Sequence, residues 1–356
     1  MNSNGLLRHD ASADWLSQFS IAVVIPCYNV EREIESVLRS MPPYIRHIIV
    51  VNDASPDRSR EIVEKAAADD PRIILLNHEA NLGVGGAMIT GFRKALQLGV
   101  QLVVKIDGDG QMSVADIPGL LVPLIRGEAD YCKGNRFRDF QALRRMPWVR
   151  RAGNMALSFL VKAATGYWSC FDPTNGFIGI RGNVLAQLPL EKVHRTYFFE
   201  TSMLSQLYMI DAVVRDISLP ARYHTEISNL SIGKVLREFP FRLLACFWRR
   251  MILKNYIYDF KMESVLMLCG VPMLMAGLLY GGINWIRYSR SGRGAPTGTV
   301  VIPAMMIILG FQILLSVVGA DLQAVPREPI CGGPLSGQET PSPASREALA
   351  SGKAGK

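Results

Sequence analysis

Short β-branched runs alternate with longer amphipathic stretches over the first 225 residues. The runs IAVVIPCY (21–28), HIIVVND (47–53), RIILLNH (72–78) and QLVVKID (101–107) read as strands, each followed by a charged or amphipathic stretch of helical length. This order predicts an α/β domain over 21–225: a mostly parallel sheet with helices on both faces, which is why its strands are apolar almost throughout. In such sheets ligands gather outside the carboxyl ends of the strands, where Tyr28, Asn29, Asp53, Asp107 and Asp109 collect. The glycine-rich NLGVGGAMITG (81–91) opens a helix predicted over 84–98. Met88 stands where a dinucleotide fingerprint needs its third glycine, which argues against a dehydrogenase. Gly83 and its neighbours instead suit a loop whose backbone approaches a nucleotide.

A second pattern begins late in the chain. No charged residue occurs in 264–286 or in 297–320. As helices these stretches reach about 34 to 36 Å at about 1.5 Å per residue, enough for a hydrocarbon core of about 30 Å, so both are expected to cross a membrane. The preceding region 226–263 mixes Phe241, Trp248, Tyr256, Tyr258 and Phe260 with Arg242, Arg249, Arg250, Lys254 and Lys261, as a helix lying on anionic headgroups would. That cationic flank outweighs the three arginines of the connecting loop (Arg287, Arg290, Arg293), so the hairpin is expected to enter and return on the cytosolic side. Such a protein is expected to be integral to a bacterial inner membrane or its equivalent, with its α/β domain in the cytosol. Gly277, Gly281 and Gly282 offer a surface for close helix approach, compatible with a homo-oligomer. Residues 1–20 read as an N-terminal tail without the apolar core of a secretory signal, and the Pro, Gly and Ser-rich 321–356 as a disordered tail.

Composition narrows the chemistry. The net charge of +8 points to an anionic partner. The cations cluster beside 133–151 and the apolar spans, and no groove-reading motif accompanies them, so nucleic acid is not expected. Six scattered cysteines, with no C-x-x-C pair, imply neither a zinc site nor a disulfide framework. The run LVVKIDGDGQ (102–111) ends an apolar strand in two carboxylates. Such a pair is costly unless a cation neutralises it, and hard ions such as Mg2+ or Mn2+ favour these oxygens. An EF-hand reading fails, because the sixth and twelfth positions from Asp107 are Met112 and Pro118. Magnesium keeps positions that substrate phosphates fill, so a nucleotide diphosphate is the expected further ligand.

The ordered motifs IPCYNVE, VVNDASPD, NLGVGGA, DGDGQ, KGNRF, DPTNGF and FFE resemble family 2 glycosyltransferases, in particular the dolichyl-phosphate mannose synthase-like or polyprenyl-phosphate branch, over about 21–222. The resemblance implies a GT-A fold, a UDP- or GDP-linked sugar donor, and inverting transfer of one sugar to a dolichyl or undecaprenyl phosphate. It places Pro26, Tyr28, Glu31, Asp53 and Gly83 at the donor, and Asp107, Asp109 and Gln111 at the metal and diphosphate. Arg136, with Arg150 or Arg151 and Asn175, falls at the acceptor phosphate, and Asp172 and Glu200 at the reacting centre. A lipid monophosphate is already an oxyanion near neutral pH, so positioning by cations matters more than a strong base. Competing readings are a family 2 enzyme with another acceptor, such as a glycolipid or polysaccharide, and a non-catalytic nucleotide-binding scaffold. A processive polysaccharide synthase would carry Q-x-x-R-W, which is missing, and more than two spans.

Overall fold

The computed structural model describes residues 13–135, 148–173, 175–218 and 232–337. The four expected strands are present as β1 (Ile21–Cys27), β2 (His47–Asn52), β3 (Ile73–Asn77) and β4 (Leu102–Lys105). Three more follow: β5 (Tyr131–Asn135), β6 (Ile178–Arg181) and β7 (Val214–Ser218). They form one sheet in the order β3-β2-β1-β4-β6-β5-β7. Pairing is parallel throughout β3-β2-β1-β4 and between β5 and β7, and only β6 runs antiparallel to its neighbours β4 and β5.

Helices cover both faces because the strands are apolar on both. On one face, Val23, Ile25, Val104 and Cys132 share a core with α1 (Ile34–Arg39), α2 (Ser59–Asp69) and α4 (Ile117–Ile125). On the other, α3 (Val84–Gln97) lies across β1 so closely that a Cβ at Gly91 would run into Val24. Each of these strand side chains is shut off from water, a contribution of about 1.5–3 kcal/mol for each valine or isoleucine. Alternation along β4 and β5 then turns Lys105, Tyr131 and Lys133 onto the α3 face, opposite Val104 and Cys132.

The chain continues through α5 (Trp148–Thr165), α6 (Phe199–Met209) and α7 (Ile232–Ile252) into two long helices, α8 (Met262–Ser291) and α9 (Thr297–Gln323). Both are long and apolar enough to cross a bilayer, with mean hydropathy 1.8 and 2.5. They pack as a hairpin through small residues: a Cβ at Gly277 would stand 3.0 Å from the Ile307 backbone, and one at Gly310 2.7 Å from that of Leu274. Gly281 likewise faces Pro303, whereas Gly282 faces open space, so the first two serve the hairpin itself.

Two compact units result, and they do not follow the expected continuous boundaries. One contains the sheet and the described residues from Pro326 onward; the other contains Lys162–Trp168 and Leu236–Val325. Specific side chains cause the discontinuity. In the helical unit, buried Arg250 pairs with Asp321 at 2.5 Å and donates to the Ala163 carbonyl, while Trp168 Nε1–H donates to Asp321 at 2.8 Å. In the sheet unit, the segment after α9 is a strap rather than the expected free tail. Ile330 N–H donates to Asp130, Arg181 donates to the Cys331 carbonyl, and Leu335 packs on the core while its N–H donates to Ile125. The expected boundary at 225 lies outside the described residues.

Candidate active site

The sheet order reverses between β1 and β4, and Asp107 and Asp109 follow β4 at that switch point. The turn they occupy is tight. Gly110 has φ +73°, Asp109 Oδ1 accepts from the Gln111 backbone at 3.0 Å, and Gly108 packs under Val30 and Ile34. Both aspartates are half-buried and Gln111 is exposed. No group of three or more His, Cys, Asp or Glu side chains able to hold a metal occurs among the described residues. Two hard carboxylates fit a magnesium- or manganese-type ion that takes its remaining ligands from a diphosphate and water.

Behind Asp107 lies a residue that motif matching passed over. Lys105, only 1% exposed, places its Nζ 2.7 Å from Asp107 Oδ1 and 3.6 Å from Glu200 Oε1. Burial alone would push this ammonium down, but Asp107 and Glu200, with Asp109 beyond, outweigh it and hold the pKa above the ordinary lysine value. Glu200 comes from the first turn of α6, whose Phe199 stacks against Phe92 of α3 at 6.2 Å. The signal for Lys105 was visible as one lysine in an otherwise apolar strand; its partner on α6 was not.

Lys133 is the second buried lysine on this face, and both lysines pair in register with Ile178, one on each side of it. Its ammonium donates to the Asn175 carbonyl, and burial pushes its pKa down. Asp172 and Asn175 are buried beside it. Asn175 donates to Asp172 at 3.3 Å and accepts from the Phe177 N–H at 2.9 Å, which shapes the loop entering β6. Gly176 closes over the pair: a Cβ there would strike Lys105 Nζ and stand 2.9 Å from Asp107 Oδ2. Lys105, Asp107, Glu200 and Gly176 therefore converge, with Lys133, Asp172 and Asn175 alongside.

The donor-side residues are placed differently from one another. Tyr28 is 44% exposed at the end of β1, next to Asn29 at φ +55°. Glu31 accepts from the Arg58 N–H at 3.1 Å at the start of α2. Asp53, 2% exposed, has both oxygens engaged by protein: His78 Nδ1–H and Leu82 N–H donate to Oδ1 at 2.7 and 2.8 Å, and Gly83 N–H donates to Oδ2 at 2.8 Å. It clasps the glycine-rich loop. Gly83 (φ +82°) in turn lets that loop pass the Arg195 carbonyl, which a Cβ would approach to 2.7 Å. The glycines thus permit close approach of the loop to the protein's own 194–196 backbone. Asp57, also unassigned from the sequence, accepts from Ser55, Ser59 and Glu31. Burial pushes its carboxyl up, and those hydrogen bonds outweigh it, leaving the pKa below the usual range. Arg136 lies outside the described residues, as do the side chains of Arg150 and Arg151 on α5.

The family model described as "Glycosyl transferase family 2" matches residues 22–188. The chain is 32% identical over 161 residues to a UDP-N-acetylglucosamine–dolichyl-phosphate N-acetylglucosaminyltransferase of Methanococcus voltae, covering 42% of this chain and 64% of that protein. It is 30% identical over 190 residues to an undecaprenyl-phosphate mannosyltransferase of Micrococcus luteus, covering 51% of this chain and 75% of the relative. The chain thus spans slightly less than two thirds of the archaeal relative and three quarters of the bacterial one. Among solved structures, glucosyl-3-phosphoglycerate synthase of Mycobacterium tuberculosis superposes with a TM-score of 0.50 at 21% identity, covering 68% of this chain and 86% of that one. That likeness establishes the GT-A fold. With a matching model over 22–188 and a bacterial relative 30% identical and covered for three quarters of its length, the chain belongs to glycosyl transferase family 2.

Proposed function

We propose that this protein is a membrane-anchored inverting glycosyltransferase that moves one sugar from a nucleotide-diphosphate sugar to polyprenyl phosphate on the cytosolic face. The observation that carries the reading is the Asp107–Gly108–Asp109 turn at the sheet's switch point, backed by Lys105 and Glu200, in a chain that also bears two helices of membrane-crossing length. The dolichyl-, undecaprenyl- and polyprenyl-phosphate acceptors in the relatives' names support the acceptor class. One solved neighbour was crystallised with Mg2+ and UDP, which supports a divalent ion with a nucleoside diphosphate.

In this mechanism Asp107 and Asp109 would hold the ion, with Gln111 beside the diphosphate. When bound, the ion supplies positive charge that stabilises the departing diphosphate. Exposed Tyr28 at the end of β1 suits contact with the donor, with Pro26 and Glu31 framing that end. The acceptor phosphate is an anion that must approach another anion, so Arg136 and Arg150 or Arg151 are assigned to steer it, with Asn175 and Asp172 shaping the sugar side. Inversion follows from in-line attack by a phosphate oxygen on the anomeric carbon, breaking that carbon's bond to the diphosphate. Glu200, already paired toward Lys105, orients the site and need not remove a proton.

That both ends of the hairpin lie on one side is supported by the Arg250–Asp321 pair, which joins the segment before α8 to the end of α9, and the cationic flank before α8 supports that side being cytosolic. The exposed Phe241, Trp248, Tyr258 and Phe260 support an interfacial role for the region before α8. The test is a panel of nucleotide sugars incubated with the purified full chain, Mg2+ and either polyprenyl phosphate or 3-phosphoglycerate. The expected result is a product of the mass of a glycosylated polyprenyl phosphate. Transfer to phosphoglycerate alone would overturn the acceptor assignment.

A further inference from the structure

We propose that Lys105 is an internal counter-ion that makes divalent-ion binding at Asp107 and Asp109 depend on the donor diphosphate. The inference rests on the reading of those aspartates as ion ligands and concerns what stands behind them. A fully buried ammonium lies 2.7 Å from one oxygen of Asp107, with Glu200 3.6 Å away. It has little freedom to leave. Its strand is central in the sheet, and Gly176 is the one residue type that fits over it without driving it off Asp107. Lys133 cannot take its place, because its ammonium is committed to the Asn175 carbonyl on the far side of Ile178.

The consequence is electrostatic. A bare divalent ion at Asp107 and Asp109 meets two carboxylates whose field is partly cancelled by a cation in contact with one of them, and it is repelled by that cation directly. The charges of a nucleoside diphosphate reverse the balance, so ion and donor are held as a unit. After transfer, loss of the diphosphate releases the ion as well. Lys105, buried behind Asp107, acts through it and is a positioning residue whose charge sets the order of binding.

The test is titration of the purified full chain with Mn2+, followed by electron paramagnetic resonance, with and without UDP or GDP. Wild type is expected to bind Mn2+ weakly alone and more tightly with one of the nucleotides. Lys105→Met removes the charge and is expected to bind Mn2+ alone about tenfold or more tighter than wild type, shrinking the dependence on nucleotide. Lys105→Arg keeps the charge and is expected to stay within about threefold. Lys105→Gln, which retains a hydrogen-bond donor toward Asp107, serves where Lys105→Met does not fold. A purely structural lysine predicts the opposite sign, because a disordered Asp107 binds ions less well. Equal or weaker Mn2+ binding by the uncharged variants overturns the inference while leaving the metal site standing. Absence of Mn2+ binding by wild type even with UDP and GDP overturns the metal site itself and this inference with it.

Discussion

Asp53→Asn separates a structural clasp from a donor ligand. In the wild type a single carboxylate accepts three N–H donors, from His78, Leu82 and Gly83, at 2.7 to 2.8 Å. Asparagine has one acceptor oxygen, so in either orientation its NH2 faces at least one of those donors. The loss is one charge-assisted hydrogen bond, about 1.5–3 kcal/mol, plus about 1 kcal/mol for leaving a part-buried N–H unpaired, for a total of about 2.5–4 kcal/mol. If that loss falls on opening of the 81–86 loop and the first turn of α3, amide exchange there accelerates by about 70- to 800-fold. Hydrogen–deuterium exchange with mass spectrometry on the donor-free protein reads this directly, comparing peptides covering 79–92 with those covering β1. The expected outcome is fast exchange in the first and unchanged exchange in the second. Unchanged exchange in both, with weakened donor binding, would show that Asp53 acts on the nucleotide and would refute the clasp.

Three further outcomes follow from other contacts. Gly91→Ala gains about 1 kcal/mol of helix propensity, but its methyl meets the immobile Val24; overpacking of about 1–3 kcal/mol should win, lowering the thermal midpoint, and Val24→Ala in the same chain should restore it. Arg250→Ala strands the mostly buried Asp321 and should cost about 3–5 kcal/mol of stability in detergent, whereas the double variant with Asp321→Ala should recover more than half of the loss. Asp57 has a folded pKa below its unfolded value of 3.8, so it contributes stability above that value that is lost as pH falls through the folded pKa. Asp57→Asn should therefore lower the thermal midpoint at pH 7, and the gap from wild type should close as the pH is lowered below 3.8; a gap independent of pH would contradict this.

The parallel half of the sheet was legible because β1, β2 and β4 are buried on both faces and read, like the half-buried β3, as mostly apolar runs. The other half was not, for a physical reason. β5 carries Lys133 and Asn135 and β7 carries Arg215 and Asp216, charged or polar residues satisfied by partners distant in sequence: Asn175 for Lys133, Glu128 for Arg215, and Asn135 for Asp216. Periodicity cannot anticipate such pairs. The D-x-D turn was found because its repulsion is local, while the role of Lys105 depends on a carboxylate delivered by α6. Asp53 and Gly83 were read from the motif as donor residues, and the hydrogen bond that joins them to each other depends on a fold contact that the motif does not carry. The strap at 330–336 was hidden by its composition, since Pro and Gly suit a free tail and a bound irregular segment equally well.

The central claim is most directly tested by measuring nucleoside diphosphate release from the purified full chain while Mg2+ and polyprenyl phosphate are supplied together, singly or not at all. The account predicts release only when both are present, and loss of that release in Asp109→Asn. Turnover that persists without a divalent ion, or that is indifferent to the lipid phosphate, would contradict it.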